Sequence, residues 1–286
     1  MGRQVVSVVV PRTLTDALRA MAANPSALLL QGGTDLMVEI NFNHRKPVDV
    51  IALRKIHELR AVKIDGETIS IGAGLPYQEM ESGQIAELVP ALGQAARTVG
   101  SPQIRAAGSL GGNLGTCSPA GDGLPVLSAL DAMINLRSAN ASRNVSIHEF
   151  MVGVKRNAKQ PGEIIVSATV PIVRGWQGFA KVGVRNAMVI SVASCCLVVD
   201  RTKGSIAVAL GAVGPTVIRC RQAEQWLSTN VDLKQDAMIG AKLAKEFGER
   251  VANEARPIDD HRGTAEYRRH AVATLASRLL QRSGAR

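Results

Sequence analysis

Two stretches of this sequence hold residue types that suit gripping a ligand. Gly108-Ser109-Leu110-Gly111-Gly112-Asn113-Leu114-Gly115-Thr116-Cys117-Ser118-Pro119-Ala120-Gly121-Asp122 carries five glycines and three small hydroxyl residues in fifteen positions, which leaves little side chain to build a core. Gln31-Gly32-Gly33-Thr34-Asp35-Leu36 turns sharply at two glycines directly after the apolar run Leu28-Leu29-Leu30. Glycine tolerates positive φ and the close approach of another group, and successive N–H groups in such turns form concave nests for anions. Two nests suit a diphosphate. A β-branched residue at Gly112 is expected to block that backbone approach and to resist positive φ. Neither stretch has the G-x-G-x-x-G spacing of a dinucleotide fingerprint or the Gly-Lys-Ser/Thr ending of a P-loop.

Other chemistries find little support. The histidines His44, His57, His148, His261 and His270 are far apart, with no H-E-x-x-H pattern, so metal-dependent hydrolysis is not expected. No G-x-S-x-G elbow is present. Cys117, Cys195, Cys196 and Cys220 lack metal-ligand spacing, so neither a zinc site nor an iron–sulfur cluster can be assembled from neighbouring ligands. They read as reduced thiols of a cytoplasmic protein, with Cys117 alone placed where a redox role would be conceivable. Asp122 is expected to cap the apolar run that starts at Leu124. A chain offering a cradle and no acid–base pair of its own implies a cofactor that carries the chemistry.

The elements that must position these segments follow from periodicity. Residues 1 to about 60 read as a small α/β lobe, with a strand over Val5 to Val10, a helix capped by Thr13 and carrying Leu14, Leu18 and Met21 on one face, and strands at Leu28 to Leu30 and Val48 to Leu53. A second lobe opens with Ala61 to Ile71, two strands around Asp65-Gly66, a strong hairpin signal. Ile85 to Val99 reads as one helix leading toward the long glycine stretch, another helix follows Asp122, and Glu163 to Val170 is a strand stopped by Pro171. Beyond it, apolar strands at Val189 to Val199 and Ser205 to Val213 and helices at Arg221 to Leu227, Asp236 to Val251 and Thr264 to Leu280 predict an antiparallel sheet backed by helices. Pro171, Gly175 and Gly178 mark the expected boundary, giving units of 1–60, 61–172 and 173–286.

The 286 residues are 46% hydrophobic, enough for real cores. The longest apolar run, Met188 to Val199, is interrupted by serines and too short to span a bilayer. The first residues lack the apolar core of a secretory signal, so a cytoplasmic protein without stable membrane insertion is expected. A net charge of +10 with only 3% aromatics offers no stacking surface for bases. Nucleic acid is therefore not an expected partner; the charge reads as basic solvated faces or a surface for an acidic partner subunit.

The pair of glycine segments resembles the two FAD-binding segments in the medium subunit of the molybdenum hydroxylases, the family of carbon monoxide dehydrogenase and the bacterial multi-subunit xanthine dehydrogenases. Glu163-Ile-Ile-Val-Ser167 resembles the family's strand near the flavin, Phe179-Ala-Lys181-Val-Gly-Val-Arg185 its F-x-K-x-x-x-R segment, and Asp259-Asp-His-Arg-Gly-Thr-Ala-Glu-Tyr-Arg268 its C-terminal signature. One departure concerns local polar contacts: many relatives carry an acidic residue where this chain has Met188.

The resemblance implies an α/β (α+β) chain, a two-lobed FAD-binding domain of the vanillyl-alcohol-oxidase/PCMH type followed by a C-terminal antiparallel sheet with helices. It implies that Gly32, Gly33, Thr34 and Asp35 contact the diphosphate and ribityl region from one lobe and Ser109, Gly112, Asn113 and Thr116 from the other. Asp122 is implied close to the flavin, with Ile165 and Lys181 approaching the ring or its adjoining chain. Leu29, Leu30, Gln31, Leu36, Gly111, Gly115 and Ser118 complete the implied cofactor site. The implied function is relay of electrons from iron–sulfur clusters through FAD to an external acceptor, with molybdopterin on a large partner, two [2Fe–2S] clusters on a small one, and a dimer of heterotrimers as the assembly. A self-contained FAD-dependent oxidase of the related fold is the alternative. Its covalent forms usually attach flavin to a histidine, and neither glycine segment contains one.

Overall fold

The computed structural model describes residues 6–46, 48–235 and 238–284. The first lobe is a three-stranded parallel sheet, β1 (Val8–Val9), β2 (Leu28–Leu30) and β3 (Val50–Ala52) in the order β1-β3-β2. Helix α1 (Leu14–Ala23) starts where the Thr13 hydroxyl accepts from Asp16 N, and buries Leu14, Ala17, Leu18 and Met21 on one face. The described part of the first expected strand is only Val8–Val9, and Val5 lies outside the described residues. Strand β2 ends at Leu30 and the chain enters α2 (Leu36–Asn41) through the glycine turn.

The second lobe is built on a five-stranded antiparallel sheet in the order β4 (Val62–Asp65), β5 (Thr68–Gly72), β10 (Ile164–Pro171), β6 (Met133–Arg137), β7 (Ser142–Ser146). The hairpin β4 (Val62–Asp65) and β5 (Thr68–Gly72) turns at Gly66, whose φ of +54° is the conformation glycine supplies. Short helices α3 (Tyr77–Met80), α4 (Gly83–Leu88), α5 (Pro90–Thr98) and α6 (Pro102–Ala107) follow. The single helix expected over Ile85 to Val99 is two. Pro90 has no N–H to donate, and the residue before a proline is driven out of the helical region; Val89 accordingly sits at φ −130°, and α5 restarts with Pro90 in its first turn.

Within the long glycine stretch, Leu110–Thr116 is a helix, α7. Three interior glycines cost roughly 1 kcal/mol each. Against this, Leu110 and Leu114, one turn apart, are both fully buried, a gain of about 1.5–3 kcal/mol apiece, and the Ser109 hydroxyl caps the helix by accepting from Gly112 N at 3.0 Å. Cys117 ends it in the left-handed conformation at φ 50°, its N–H donating to Asn113 O. Helix α8 (Gly123–Ala129), strands β6 (Met133–Arg137) and β7 (Ser142–Ser146), helix α9 (Ile147–Phe150), the small hairpin β8 (Met151–Gly153) and β9 (Arg156–Asn157), and β10 (Ile164–Pro171) complete the lobe.

The C-terminal region is an antiparallel sheet, β11 (Gly175–Val182), β12 (Ala193–Asp200), β13 (Ser205–Gly211) and β14 (Ile218–Arg219), with α10 (Arg221–Asn230), α11 (Ala241–Glu254) and α12 (Ala265–Ser283) on one face. The α11 start that the sequence put at Asp236 lies outside the described residues; the observed helix begins at Ala241. Strand β12 begins four residues later than expected, at Ala193. It is apolar on both sides because both are covered: Cys196 and Val198 join the core of the second lobe, while Cys195, Leu197 and Val199 join the core under α10 to α12. The C-terminal sheet is therefore packed directly against the second lobe, which fixes what its loops present to the site.

Candidate functional site

A cavity of about 600 Å³ opens between the two lobes and is closed on its third side by Met188, Val189 and Ile190 before β12, a volume in the range of cofactor sites. Every residue from Leu29 to Leu36 lines it, as do Ser109, Gly111, Gly112, Asn113, Gly115, Thr116, Ser118, Asp122 and Ile165. Lys181 does not line it. It lies behind Asp122, its Nζ donating to Asp122 Oδ2 at 2.6 Å, Thr98 O at 2.8 Å and Val189 O at 3.1 Å.

The two glycine segments meet through a Thr116 hydroxyl that donates to Asp35 Oδ2 at 3.0 Å, and Gln31 Nε2 donates across the lobes to Gly74 O. Their backbones behave differently. Among the described residues, the N–H groups of Gly32, Gly33, Thr34, Asp35 and Leu36 have no protein acceptor, while Gly33 holds a φ of +73°. Five consecutive unpaired donors on a cavity wall form the anion nest expected of this turn. In α7 the first N–H groups are committed: Gly111 N donates to Ala73 O at 2.7 Å, Gly112 N to Ser109 Oγ, and Asn113 N to Ser109 O. The second nest expected from sequence is thus a capped helix, and Gly112 has no positive φ.

What the glycines of α7 supply is space. A Cβ on Gly111 would fall 2.5 Å from Ala73 Cβ and 2.6 Å from Ala73 O, so Gly111 lets the helix touch β5's continuation. A Cβ on Gly112 would meet only Ser109 Oγ at 3.4 Å, and one on Gly115 only Ile165 Cδ1 at 3.9 Å. Nothing in the fold occupies those two positions, which stand one turn apart on the cavity wall. Three buried polar atoms on the same wall, Gln31 Oε1, Tyr77 OH and Asn113 Oδ1, also have no partner. Buried polar atoms left unpaired cost about 1–3 kcal/mol each, so their concentration here fits a polar ligand. The nest, the bare wall and the orphaned atoms together suit a flavin nucleotide.

Asp122 does not cap α8; no hydrogen bond from its side chain reaches that helix. Its Oδ1 accepts from Ser191 Oγ at 2.5 Å and its Oδ2 from Lys181 and from Thr98 Oγ1. Burial pushes its pKa above the ordinary carboxylate value, and Lys181, Ser191 and Thr98 pull against that. Burial, reinforced by the Asp122 charge, raises the Tyr77 phenol as well, so it faces the cavity as a neutral donor and acceptor. Burial pushes the Cys117 thiol up to about 11; it serves as the helix cap, and a thiolate there is not available for redox exchange at neutral pH. Glu39 is held by Lys155 Nζ at 2.7 Å and Arg45 Nε at 2.9 Å, tying α2 to the β8–β9 hairpin at the cavity's edge, and its pKa is lowered first by the Lys155 hydrogen bond and then by Arg45.

Tyr77, Thr98, Ser191 and Lys159 were not singled out by sequence. Tyr77 had a signal, being one of only two tyrosines and following the glycine-rich end of β5; Thr98 and Ser191 had none, since nothing local marks a residue that reaches Asp122 from another element. Met188 lines the cavity at φ 51°, with its carbonyl accepting from Arg185.

A family model described as the FAD binding domain in molybdopterin dehydrogenase matches residues 4–173, and one described as the CO dehydrogenase flavoprotein C-terminal domain matches residues 179–283. The glyceraldehyde dehydrogenase medium chain of Sulfolobus acidocaldarius is 31% identical over 274 residues, covering 94% of this chain and 95% of that protein. The carbon monoxide dehydrogenase medium chain of Hydrogenophaga pseudoflava is 26% identical, with 96% of each chain covered. Among solved structures, a chain of carbon monoxide dehydrogenase from Hydrogenophaga pseudoflava superposes with a TM-score of 0.87 at 25% identity, over 99% of this chain and 98% of that one. A chain of quinoline 2-oxidoreductase from Pseudomonas putida 86 gives 0.89 at 22% identity over the same shares.

Proposed function

The chain belongs to the FAD-binding medium subunits of the carbon monoxide and xanthine dehydrogenase-type molybdenum hydroxylases, and on that premise we propose that it relays electrons from iron–sulfur clusters on a partner to an external acceptor. The observation that carries the reading is the interlobe cavity, in which five unpaired N–H groups face a helix wall cleared by Gly112 and Gly115. FAD, when bound, would supply exchange of one or two electrons, so that one-electron clusters and a two-electron acceptor can be joined. The chain's own residues bind, orient and insulate.

Residues Gly32 to Leu36 hold the diphosphate through their backbone donors, and Gln31, Tyr77 and Asn113 satisfy their orphaned atoms on the rest of the nucleotide. The buried pair of Lys181 and Asp122 fixes the wall under α8 just behind the cavity, held together by the Lys181 hydrogen bonds to Asp122, Thr98 and Val189. Ile165 and the segment Met188 to Ile190 supply apolar walls on two sides. Substrate oxidation belongs to a second centre on a partner, and the wall carboxylates Glu39 and Asp122 are committed to Lys155, Arg45 and Lys181. That centre is a molybdopterin subunit, linked through a small subunit with [2Fe–2S] clusters in a dimer of heterotrimers.

The test has two arms. The full chain reconstituted with FAD is expected to exchange electrons with small mediators yet to turn over no aldehyde or heterocycle, and the complex isolated from its source is expected to contain molybdenum and iron. Sustained substrate oxidation by the lone chain, or a native protein without either metal, would contradict the proposal.

A further inference from the structure

Among the charged residues of the cavity wall, one stands apart. Arg45 and Lys155 are both spent on Glu39, and Asp122 is held by Lys181. Asp35 accepts from Thr116. Lys159 lines the same cavity, is partly buried, and its ammonium has no hydrogen-bond or ion-pair partner among the described residues. The acid nearest to it in sequence, Glu163, spends its hydrogen bonds elsewhere: its Oε1 accepts from Arg143 Nε at 2.7 Å, and its Oε2 from Arg143 Nη2 at 2.9 Å and Gln160 N at 2.6 Å. That bidentate pair commits Glu163 to Arg143, leaving Lys159 only a longer-range attraction to it and no contact of its own.

The backbone around Lys159 is fixed toward one end of the cavity. Asn157 Nδ2 donates to Gly115 O at 2.8 Å, and the Asn157 side-chain oxygen accepts from Lys159 N at 3.1 Å, so this segment is pinned to the C-terminal end of α7. Thr116, at that same end, donates to Asp35. Asp35 belongs to the run of five unpaired N–H groups. The chain thus brings its one cavity cation without a hydrogen-bond or ion-pair partner, among the described residues, onto the same cavity as the turn whose backbone donors are unpaired.

We propose that Lys159 is the counter-ion of the FAD diphosphate, completing with its ammonium what the Gly32 to Leu36 backbone begins. The assignment rests on the FAD-binding function proposed above. Backbone donors orient a diphosphate but carry no net charge, and a doubly negative group moved into a partly closed cavity needs a cation that no internal acid has claimed. A lysine suits this duty, since a compact ammonium on a flexible stem acts on phosphate as a point charge. Burial also holds the Lys159 pKa below the ordinary lysine value, against a smaller upward pull from Glu163, a deficit that a phosphate neighbour would reverse.

The experiment measures dissociation constants of FAD, ADP and riboflavin for the full chain and for Lys159→Met and Lys159→Arg, at low and high salt, with melting temperature alongside. Lys159→Met is expected to raise the Kd of FAD and of ADP about ten- to hundredfold, to flatten their salt dependence, and to leave riboflavin binding and melting unchanged. Lys159→Arg should restore most of the affinity, and the flavin potential in the Lys159→Met protein should match wild type. An unchanged Kd for FAD and ADP in Lys159→Met would overturn the assignment, as would a shifted potential at unchanged affinity, which would give the charge to the ring instead. A wild-type chain that binds no FAD would remove the proposed function itself, and this assignment with it.

Discussion

The two glycine segments look alike as sequence and work in opposite ways. In Gln31 to Leu36 the glycines free the backbone: Gly33 takes a positive φ and five N–H groups point at no protein acceptor. In Ser109 to Thr116 they free space instead, since the N–H groups are used by Ala73 and Ser109 while Gly112 and Gly115 leave a bare helix face. One segment binds through donors and the other through the absence of side chains. Glycine content alone does not distinguish them. The leucines at 110 and 114, four apart and buried, decide that the second is a helix.

The largest effect is expected behind the second segment. Lys181→Met leaves Asp122 buried with its strongest partner gone, and removing one member of such a pair costs about 3–5 kcal/mol. Urea denaturation should show this loss, and pairing the change with Asp122→Leu should recover most of it. Full recovery of FAD affinity in that double variant would mean that the pair only supports the wall.

Next come two glycines at close backbone contacts, Gly32 between the lobes and Gly111 within the second. A Cβ at Gly32 would sit 1.9 Å from Ala107 O, and the clash at Gly111 is with Ala73. Gly111→Ala is expected to lower stability by about 1–3 kcal/mol through overpacking. Gly32→Ala should do at least as much and also abolish FAD binding, because the nest and the lobe contact move together. Melting temperatures that match wild type in both would contradict the packing described.

The smallest effect is the clasp at the cavity's edge. Glu39 has its pKa lowered from 4.5 by Lys155 and Arg45, so its contribution is full above about pH 4.5 and is lost as pH falls through the lowered folded-state value. The pair is largely solvated and contributes roughly a few tenths of a kcal/mol. The stability difference between wild type and Glu39→Gln should be small at neutral pH and vanish in acid; a difference that grows in acid would have the wrong sign.

Much of the fold was legible in the sequence because apolar period and turn chemistry agreed there. The Thr13 cap, the Gly66 hairpin and the C-terminal antiparallel sheet all follow from local residues. Pro90 was equally local and breaks the helix that alanine-rich composition suggested. The site was legible as segments but not as roles. Asp122 read as a helix cap because nothing near it in sequence reveals Lys181, Ser191 or Thr98, which reach it from 59, 69 and 24 residues away. Lys159 carried no signal either, since an unpaired lysine is recognised only by what surrounds it.

The contrast between the segments is tested most directly at Gly112. Its Cβ position touches only Ser109 Oγ at 3.4 Å and its backbone is helical, and valine is no worse than glycine in a helix. Flavin fluorescence titration of Gly112→Val, with thermal melting on the same sample, should therefore show wild-type stability and no measurable FAD binding. FAD binding at the wild-type Kd would contradict the account, because the wall left bare by Gly112 would then not be where the cofactor lies.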